Sequence, residues 1–237
     1  MGHSYSQRWF EELFERLGLE DCSYNLVEMP SLKGLRDWVR RDDINGFNVT
    51  VPYKQEVIAY LDELDETAST IGAVNCVTVE GERLVGHNTD APAFLDTLKP
   101  FLQSNNRTIG RSFILGTGGA ARAVAHGLEQ LGIPYTFVSR HPEQHENAIG
   151  YDNLSIFNFQ FSILINATPV GMYPDIDAMP MPDNFQFSIF NFQFVYDLIY
   201  NPSPTRLLRE ASARGAKVKD GLEMLHRQAE LSWKLFN

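Results

Sequence analysis

The stretch Phe113–Ala123, FILGTGGAARA, decides the fold. Its first three residues are apolar, which is typical of a strand buried on both faces. Three glycines, Gly116, Gly118 and Gly119, follow and allow a tight turn with no Cβ between the backbone and a ligand. Apolar residues then recur at helical spacing from Ala120 onward, so the stretch predicts strand, turn and helix. Such a turn presents backbone N–H groups and the positive end of a helix dipole, which suits a phosphate.

The end of the next predicted strand indicates which phosphate compound binds. Gly116, Gly118 and Ala121 match the three positions of the dinucleotide fingerprint G-x-G-x-x-G/A. The following strand, Tyr135–Val138, leads into Ser139 and Arg140. An NAD site favours an acidic residue here for the ribose hydroxyls, whereas an arginine suits the 2′-phosphate of NADP. The sequence therefore predicts an NADP site.

Composition and charge exclude several classes of protein. The chain has 237 residues and a formal net charge of −10, which argues against a nucleic-acid partner. Its cysteines, Cys22 and Cys76, form neither a disulfide framework nor a zinc pattern, and the histidines lack metal-ligand spacing. From this cysteine and histidine spacing we expect no bound metal. Because no signal peptide or membrane-length apolar run is present, we expect a cytoplasmic protein with no membrane partner.

Strand and helix patterns alternate along the chain with short links, which predicts an α/β fold with parallel sheets. An amphipathic helix is expected to end at Gly18, followed by a strand at Tyr24–Val27. A helix is expected at Lys54–Leu64, a hairpin around Glu80-Gly81, and a connecting helix at Thr89–Leu102. Later parallel strands are expected at Ile163–Ile165, Phe194–Ile199 and Ala216–Val218, and a final helix at Gly221–Phe236.

A series of motifs, in the right order, resembles the shikimate dehydrogenase family. The motifs are His3–Ser6 (HSYS), Gly46–Lys54 (GFNVTVPYK), Gly72–Asn75 (GAVN), Asn88–Asp90 (NTD), Gly116–Ala121 (GTGGAA), Asn166–Met172 (NATPVGM), Asp197–Pro202 (DLIYNP) and the closing Gly221–Leu225 with Gln228-Ala229. The family reduces 3-dehydroshikimate to shikimate with NADPH, so the resemblance implies this activity, within aromatic amino-acid biosynthesis, for the chain.

The resemblance also implies two domains. Residues 1–88 would form an α/β substrate domain, residues 89–220 a Rossmann-type NADP-binding domain, and residues 221–237 a helix that returns to the substrate domain. In the family a strand precedes the HSxS motif, whereas only Met1 and Gly2 precede His3 here. The substrate domain is therefore expected to lack its first strand and to be loosely held.

Site residues follow from the same motifs. Reduction of a ketone needs a general acid beside the carbonyl oxygen, and the resemblance implies Lys54 for this role with Asp90 as its partner. The implied substrate-binding residues are Ser4 and Ser6 for the carboxylate, Thr50, Asn75 and Gln228 for ring hydroxyls, and Tyr200. The cofactor residues are Gly116, Gly118, Gly119, Ala120, Ser139 and Arg140, with Thr168, Gly221 and Met224 on the nicotinamide side. Ser6 could instead serve as the N-cap of the first helix.

Two alternatives remain open at this point. One is an NAD-dependent quinate/shikimate dehydrogenase, which Arg140 argues against. The other is a truncated, weakly active or inactive binding homologue, which the missing strand favours and the presence of Lys54 and Asp90 disfavours. In each case the expected partner is a small molecule, and the protein is expected to be a monomer or homodimer.

Overall fold

The computed structural model describes residues 5–103, 109–156, 162–181 and 192–237. The chain divides into two compact units. Unit 1 comprises Met1–Thr89 and Leu225–Asn237, and unit 2 comprises Asp90–Met224. No helix within the described ranges is long and apolar enough to cross a membrane.

The described elements alternate along the chain as helices and strands. The α-helices are α1 (Tyr5–Leu17), α2 (Leu35–Arg41), α3 (Glu66–Ile71), α4 (Asp90–Gln103), α5 (Gly119–Gln130), α6 (Arg206–Ala213) and α7 (Leu222–Phe236). The strands are β1 (Gly46–Asn48), β2 (Glu63–Leu64), β3 (Cys76–Glu80), β4 (Arg83–His87), β5 (Arg111–Leu115), β6 (Tyr135–Ser139), β7 (Ala148–Gly150), β8 (Ser162–Asn166), β9 (Phe194–Asp197) and β10 (Lys217–Lys219).

Unit 1 contains a sheet in the order β1-β3-β4-β2. Strand β3 runs antiparallel to both β1 and β4, and β2 runs parallel to β4. One apolar cluster holds α2 against the sheet through buried residues that include Leu35, Val57, Val77 and Leu84. A second cluster joins α1 to α7, so the closing helix from Leu225 onward belongs to this unit. Its buried members are Phe10, Leu13, Phe14 and Ala229.

Unit 2 contains a parallel sheet in the order β10-β9-β8-β5-β6-β7. Read from β7 to β10 and renumbered with β5 as strand 1, the order is 3-2-1-4-5-6, which is the order of a dinucleotide-binding fold. The central strand β5 is buried from Ser112 to Leu115, as its apolar sequence predicts. The direction of winding reverses between β5 and β8, and ligands bind such sheets at the carboxyl ends of the strands where this reversal occurs.

The predicted strand, glycine turn and helix are confirmed as β5, the turn at Gly116 and Gly118, and α5. The predicted hairpin is confirmed as β3 and β4, and the predicted connecting helix as α4. The α/β class with a Rossmann-type parallel sheet is therefore confirmed.

Two predicted elements in unit 1 are wrong. Tyr24–Val27 forms no strand; the Tyr24 ring stacks on Phe10, with 4.3 Å between ring centroids. Lys54–Leu64 is not a continuous helix, because its middle forms a 3₁₀ turn at Glu56–Tyr60 and its end pairs with β4 as strand β2. In both stretches tertiary contacts override the local apolar pattern.

Candidate active site

In unit 1, Asn75 is the last residue of the short segment that connects α3 to β3. Helix α3 ends at Gly72, whose φ of 66° is a left-handed conformation that suits glycine. The Asn75 side chain is 2% exposed and forms a reciprocal pair with Thr89. Its Oδ1 accepts from the Thr89 backbone N–H at 2.7 Å, and its Nδ2 donates to Thr89 Oγ1 at 2.8 Å. These two bonds fix the orientation of the Asn75 amide.

Helix α7 brings Gln228 and Ser232 to the same region of unit 1. Asn75 Nδ2 lies 3.4 Å from Gln228 Oε1, so two of the predicted substrate-binding residues are in contact. One helical turn later, Ser232 Oγ lies 2.9 Å from Asn48 Nδ2 and 3.2 Å from Thr89 Oγ1. Sequence reasoning missed Asn48 and Ser232. The available signals were the position of Asn48 within GFNVTVPYK and the four-residue spacing of Ser232 from Gln228.

Lys54 and Thr50 lie on the turn that follows β1. The Thr50 carbonyl accepts from the Tyr53 N–H at 2.9 Å, which closes the turn, and Thr50 itself is exposed. The Lys54 carbonyl accepts from the Val74 N–H at 2.7 Å. The backbone of the predicted general acid is thereby held beside the residue that precedes Asn75.

The remaining predicted residues of this group lie on several different elements. Ser6 is the second residue of α1, so it is not the N-cap of a helix that begins at Tyr5. Ser4 lies outside the described residues. Asp90 is buried at the first position of α4, where a carboxylate interacts favourably with the helix dipole. Tyr200 is half-buried in the loop after β9.

In unit 2, the glycine turn follows β5 at the carboxyl edge of the sheet. Gly116 has a φ of 97°, and a Cβ there would lie 3.0 Å from Thr168 Cγ2 and 3.5 Å from the Ala167 carbonyl oxygen. A glycine is required here because the loop after β8 packs against the turn. A Cβ on Gly118 would meet no atom within 4 Å, so this side of the turn is open to a ligand. Gly119 and Ala120 then begin α5.

Arg140 extends the site along the sheet edge after β6. It is exposed, and no carboxylate in the described part of the chain forms an ion pair with it. Burial raises the pKa of the Tyr151 phenol, and the nearby positive charge of Arg140 opposes this rise. Ser139 Oγ accepts from the His141 N–H at 3.0 Å. An exposed arginine that is not already paired is available to an anionic ligand.

His145 connects this loop to the glycine turn and was missed from the sequence. One of its ring nitrogens, Nε2, lies 3.0 Å from Thr117 Oγ1. Thr117 lies between the two glycines of the fingerprint that line the turn. The predicted phosphate-binding loops after β5 and β6 are therefore joined by a side-chain hydrogen bond.

A buried polar network lies beneath the loops after β8 and β9. Asp197 is 0% exposed; its Oδ1 accepts from Asn166 Nδ2 at 2.9 Å and from the Ile199 N–H at 3.1 Å. Its Oδ2 accepts from Thr205 Oγ1 at 2.7 Å. Burial raises the pKa of Asp197 to about 6, although the three hydrogen-bond donors lower it. Asn166 Oδ1 in turn accepts from Thr168 Oγ1 at 2.7 Å.

This network sets the orientation of Thr168. Because the Thr168 hydroxyl donates to Asn166, its methyl group is the part that faces Gly116. On the loop after β10, a Cβ on Gly221 would overlap the backbone carbonyl of Leu198, so only glycine fits there. Met224 is buried in the first turn of α7. The predicted residues Gly116, Thr168 and Gly221 thus all lie on loops that leave the carboxyl edge of one sheet.

Comparison with known proteins identifies the family. The family model described as the shikimate dehydrogenase substrate binding domain matches residues 1–77. The shikimate dehydrogenase (NADP(+)) of Caldicellulosiruptor saccharolyticus is 35% identical over 250 residues, covering 99% of this chain and 88% of that protein. The chain belongs to the shikimate dehydrogenase family.

Solved structures of shikimate dehydrogenases share this fold. The Thermus thermophilus enzyme, described as a complex with NADP(H) and shikimate, matches with a TM-score of 0.83 and 36% identity, covering 99% of this chain and 89% of that one. A chorismate mutase/shikimate 5-dehydrogenase fusion protein from Clostridium acetobutylicum matches with a TM-score of 0.87 and 36% identity, covering 100% of this chain and 88% of that one. The resemblance drawn from the sequence motifs is therefore confirmed at the level of the family.

Proposed function

We propose that this chain catalyses the NADPH-dependent reduction of 3-dehydroshikimate to shikimate. The observation that carries the proposal is the match to the Thermus thermophilus structure described with NADP(H) and shikimate, over 99% of this chain. The site chemistry supports the cofactor, since an open glycine turn and an exposed Arg140 that forms no ion pair with the described residues suit a dinucleotide with an additional phosphate.

We propose that the two parts of the chain divide the ligands between them. Residues 1–88 with the closing helix 221–237 supply most of the contacts to 3-dehydroshikimate, and residues 89–220 supply most of the contacts to NADP. Gly116, Gly118, Gly119 and Ala120 present backbone N–H groups to the pyrophosphate, with Arg140 and Ser139 beside the adenosine phosphate. Thr168, Gly221 and Met224 line the nicotinamide.

In this mechanism NADPH supplies the hydride that reduces the ketone carbon. Lys54 donates a proton to the carbonyl oxygen as negative charge develops there, and Asp90 orients the ammonium group. Ser4 and Ser6 donate hydroxyl hydrogen bonds to the substrate carboxylate, and Tyr200 assists them. Thr50, Asn75 and Gln228 hold the ring hydroxyls and so orient the carbonyl toward the cofactor.

We also propose a cytoplasmic enzyme that is a monomer or a homodimer. Both cysteines, exposed Cys22 and buried Cys76, are free thiols, which fits a reducing compartment.

The test is the loss of NADPH absorbance when 3-dehydroshikimate is added to the purified chain, with NADH and with quinate plus NADP as parallel reactions. The proposal predicts turnover with NADPH and little with NADH. Turnover that prefers NADH would favour a quinate/shikimate dehydrogenase that uses NAD. If none of these pairs of substrate and cofactor is turned over, the chain is better explained as a binding homologue, and the proposal is contradicted.

A further inference from the structure

A fully buried serine connects the segments of unit 1 that carry the proposed substrate-binding residues. Ser232 is 0% exposed on α7, and its Oγ contacts Asn48 Nδ2 at 2.9 Å and Thr89 Oγ1 at 3.2 Å. Asn48 also donates to the Asn75 carbonyl at 3.1 Å. We call Asn48, Asn75, Thr89 and Ser232 the Ser232 cluster.

The direction of the hydrogen bonds that Asn48 makes in the Ser232 cluster can be deduced. The Asn48 amide faces the carbonyl oxygen of Asn75, which only accepts, so the atom facing it is the nitrogen. The same nitrogen faces Ser232, so Ser232 Oγ accepts from Asn48. The Ser232 hydroxyl proton is then available to Thr89 Oγ1, which also accepts from Asn75. The serine thus relays the orientation of Asn48 to the pair formed by Thr89 and Asn75.

The packing of α7 against α1 does not depend on the Ser232 hydroxyl. The helix is already held by apolar contacts: Trp233 packs edge-on to Phe14 with 5.6 Å between centroids, and Phe236 lies 6.3 Å from Phe10. Ala229 is buried in the same cluster. Burial of several large side chains outweighs one neutral hydrogen bond. The hydroxyl therefore contributes mainly to the alignment of the helix against Asn48 and Thr89.

We propose that Ser232 is a positioning residue for substrate recognition. It holds the Asn75 amide and, through α7, the Gln228 amide in one arrangement, so that both can bind adjacent ring hydroxyls. The proposal rests on the proposed function, since it assumes that shikimate binds at these two residues. Ser232 itself makes no contact with the substrate.

The test compares two serine-to-alanine variants. Ser112 in β5 is also 0% exposed, and within the described ranges its hydroxyl has no hydrogen-bond partner. Ser112→Ala therefore removes the same atom from an equally buried position in unit 2 without breaking a polar contact. Shikimate binding is measured by calorimetry, and KM values for shikimate and NADP and the melting temperature are measured for each variant.

We expect Ser232→Ala to raise both the Kd and the KM for shikimate by about 3- to 30-fold, the range of one or two weakened neutral hydrogen bonds. The KM for NADP stays unchanged, and the melting temperature changes little. Ser232→Cys keeps a weak donor and acceptor and gives an intermediate Kd. Ser112→Ala leaves the shikimate Kd, both KM values and the melting temperature at their wild-type levels.

Three results would overturn the inference. They are an unchanged shikimate Kd in Ser232→Ala, an equal rise in Ser112→Ala, and a collapse of the Ser232→Ala melting transition, which would make Ser232 a folding residue. If the wild-type chain binds shikimate and one of these results is found, only the role of Ser232 is wrong. If the wild-type chain binds no shikimate, the proposed function fails and the inference fails with it.

Discussion

The two units each bury a polar network under their functional residues, but only one network contains a charge. In unit 1 the Ser232 cluster consists of amides and hydroxyls and contains no titratable side chain. In unit 2 the network is centred on the Asp197 carboxylate, which is 0% exposed. A buried carboxylate costs far more to desolvate than a buried amide and must be matched by several donors.

The presence or absence of a charged group determines how each network responds to pH. Neutral hydrogen bonds fix the direction of amides that recognise hydroxyl groups, and their strength does not depend on pH in the neutral range. A carboxylate that accepts three hydrogen bonds can anchor two loops at once, here those after β8 and β9, but it responds to pH. We therefore expect the Asp197 network to be sensitive to acidity and the Ser232 cluster not to be.

The largest effects are expected at Lys54 and Asp90, the proposed catalytic pair. Lys54 belongs to unit 1 and Asp90 to unit 2. Because proton transfer is made only in the transition state, Lys54→Ala and Asp90→Asn should each lower kcat by roughly 10²- to 10⁴-fold with smaller changes in KM. The measurement is steady-state kinetics with 3-dehydroshikimate and NADPH.

A double variant provides the control for this pair. If Lys54 and Asp90 act as one group, the combined variant should be little worse than the worse single variant. Near-normal kcat in Lys54→Ala would remove Lys54 from the mechanism.

The next effect concerns the stability of unit 2. The pKa of Asp197 in the folded chain is about 6, above its ordinary value of 3.8. Between about pH 4 and 6 the folded state therefore binds more protons than the unfolded state, so the free energy of unfolding falls as the pH rises through this window. The total fall from this one group is on the order of 3 kcal/mol. Asp197→Asn should abolish this part of the pH dependence.

The two units can be followed separately in that experiment. All three tryptophans, Trp9, Trp38 and Trp233, belong to unit 1, so their fluorescence reports that unit. Hydrogen exchange in peptides from β8 and β9 reports unit 2. The matched control is Asp177→Asn, since the Asp177 side chain is 86% exposed. An identical pH slope of hydrogen exchange in the wild type and in Asp197→Asn would show that Asp197 is not responsible.

A smaller effect is expected at the cofactor end of unit 2. A charge-assisted hydrogen bond contributes about 1.5–3 kcal/mol, or roughly 10- to 150-fold in affinity. Arg140→Ala should raise the KM for NADPH by about this factor, leave the KM for NADH almost unchanged, and weaken the salt dependence of NADPH binding. Arg214→Ala is the control, because Arg214 lies at the end of α6 that leads into β10, away from the carboxyl edge. Equal losses for both cofactors would make Arg140 a structural residue.

Local sequence signals predicted the parts of the fold in which pattern and packing agree. The apolar run of β5, the three glycines and the spacing of α5 all favour one structure, and the sheet forms around it. Tyr24–Val27 has an equally apolar pattern, but its tyrosine is used to pack on Phe10 and to donate to Asn48 at 3.1 Å. The last residues of Lys54–Leu64 gain more from pairing with β4 than from continuing a helix.

The buried networks could not be predicted because their members are distant in sequence. Asn48 and Ser232 are separated by 184 positions, and Asn166 and Asp197 by 31. A serine in an amphipathic helix, or an aspartate at the end of a strand, is ambiguous until the neighbouring elements are placed. Motifs predicted Asn75 and Thr168 as site residues, whereas only the structure shows which side chains orient them.

The proposed division of ligands between the units can be tested by bisubstrate kinetics on two variants. Gln228 belongs to unit 1 and contacts Asn75, and Arg140 belongs to unit 2. We expect Gln228→Ala to raise the KM for 3-dehydroshikimate and not that for NADPH, and Arg140→Ala to do the reverse. If either variant raises both KM values by the same factor, the two units do not divide the ligands in this way.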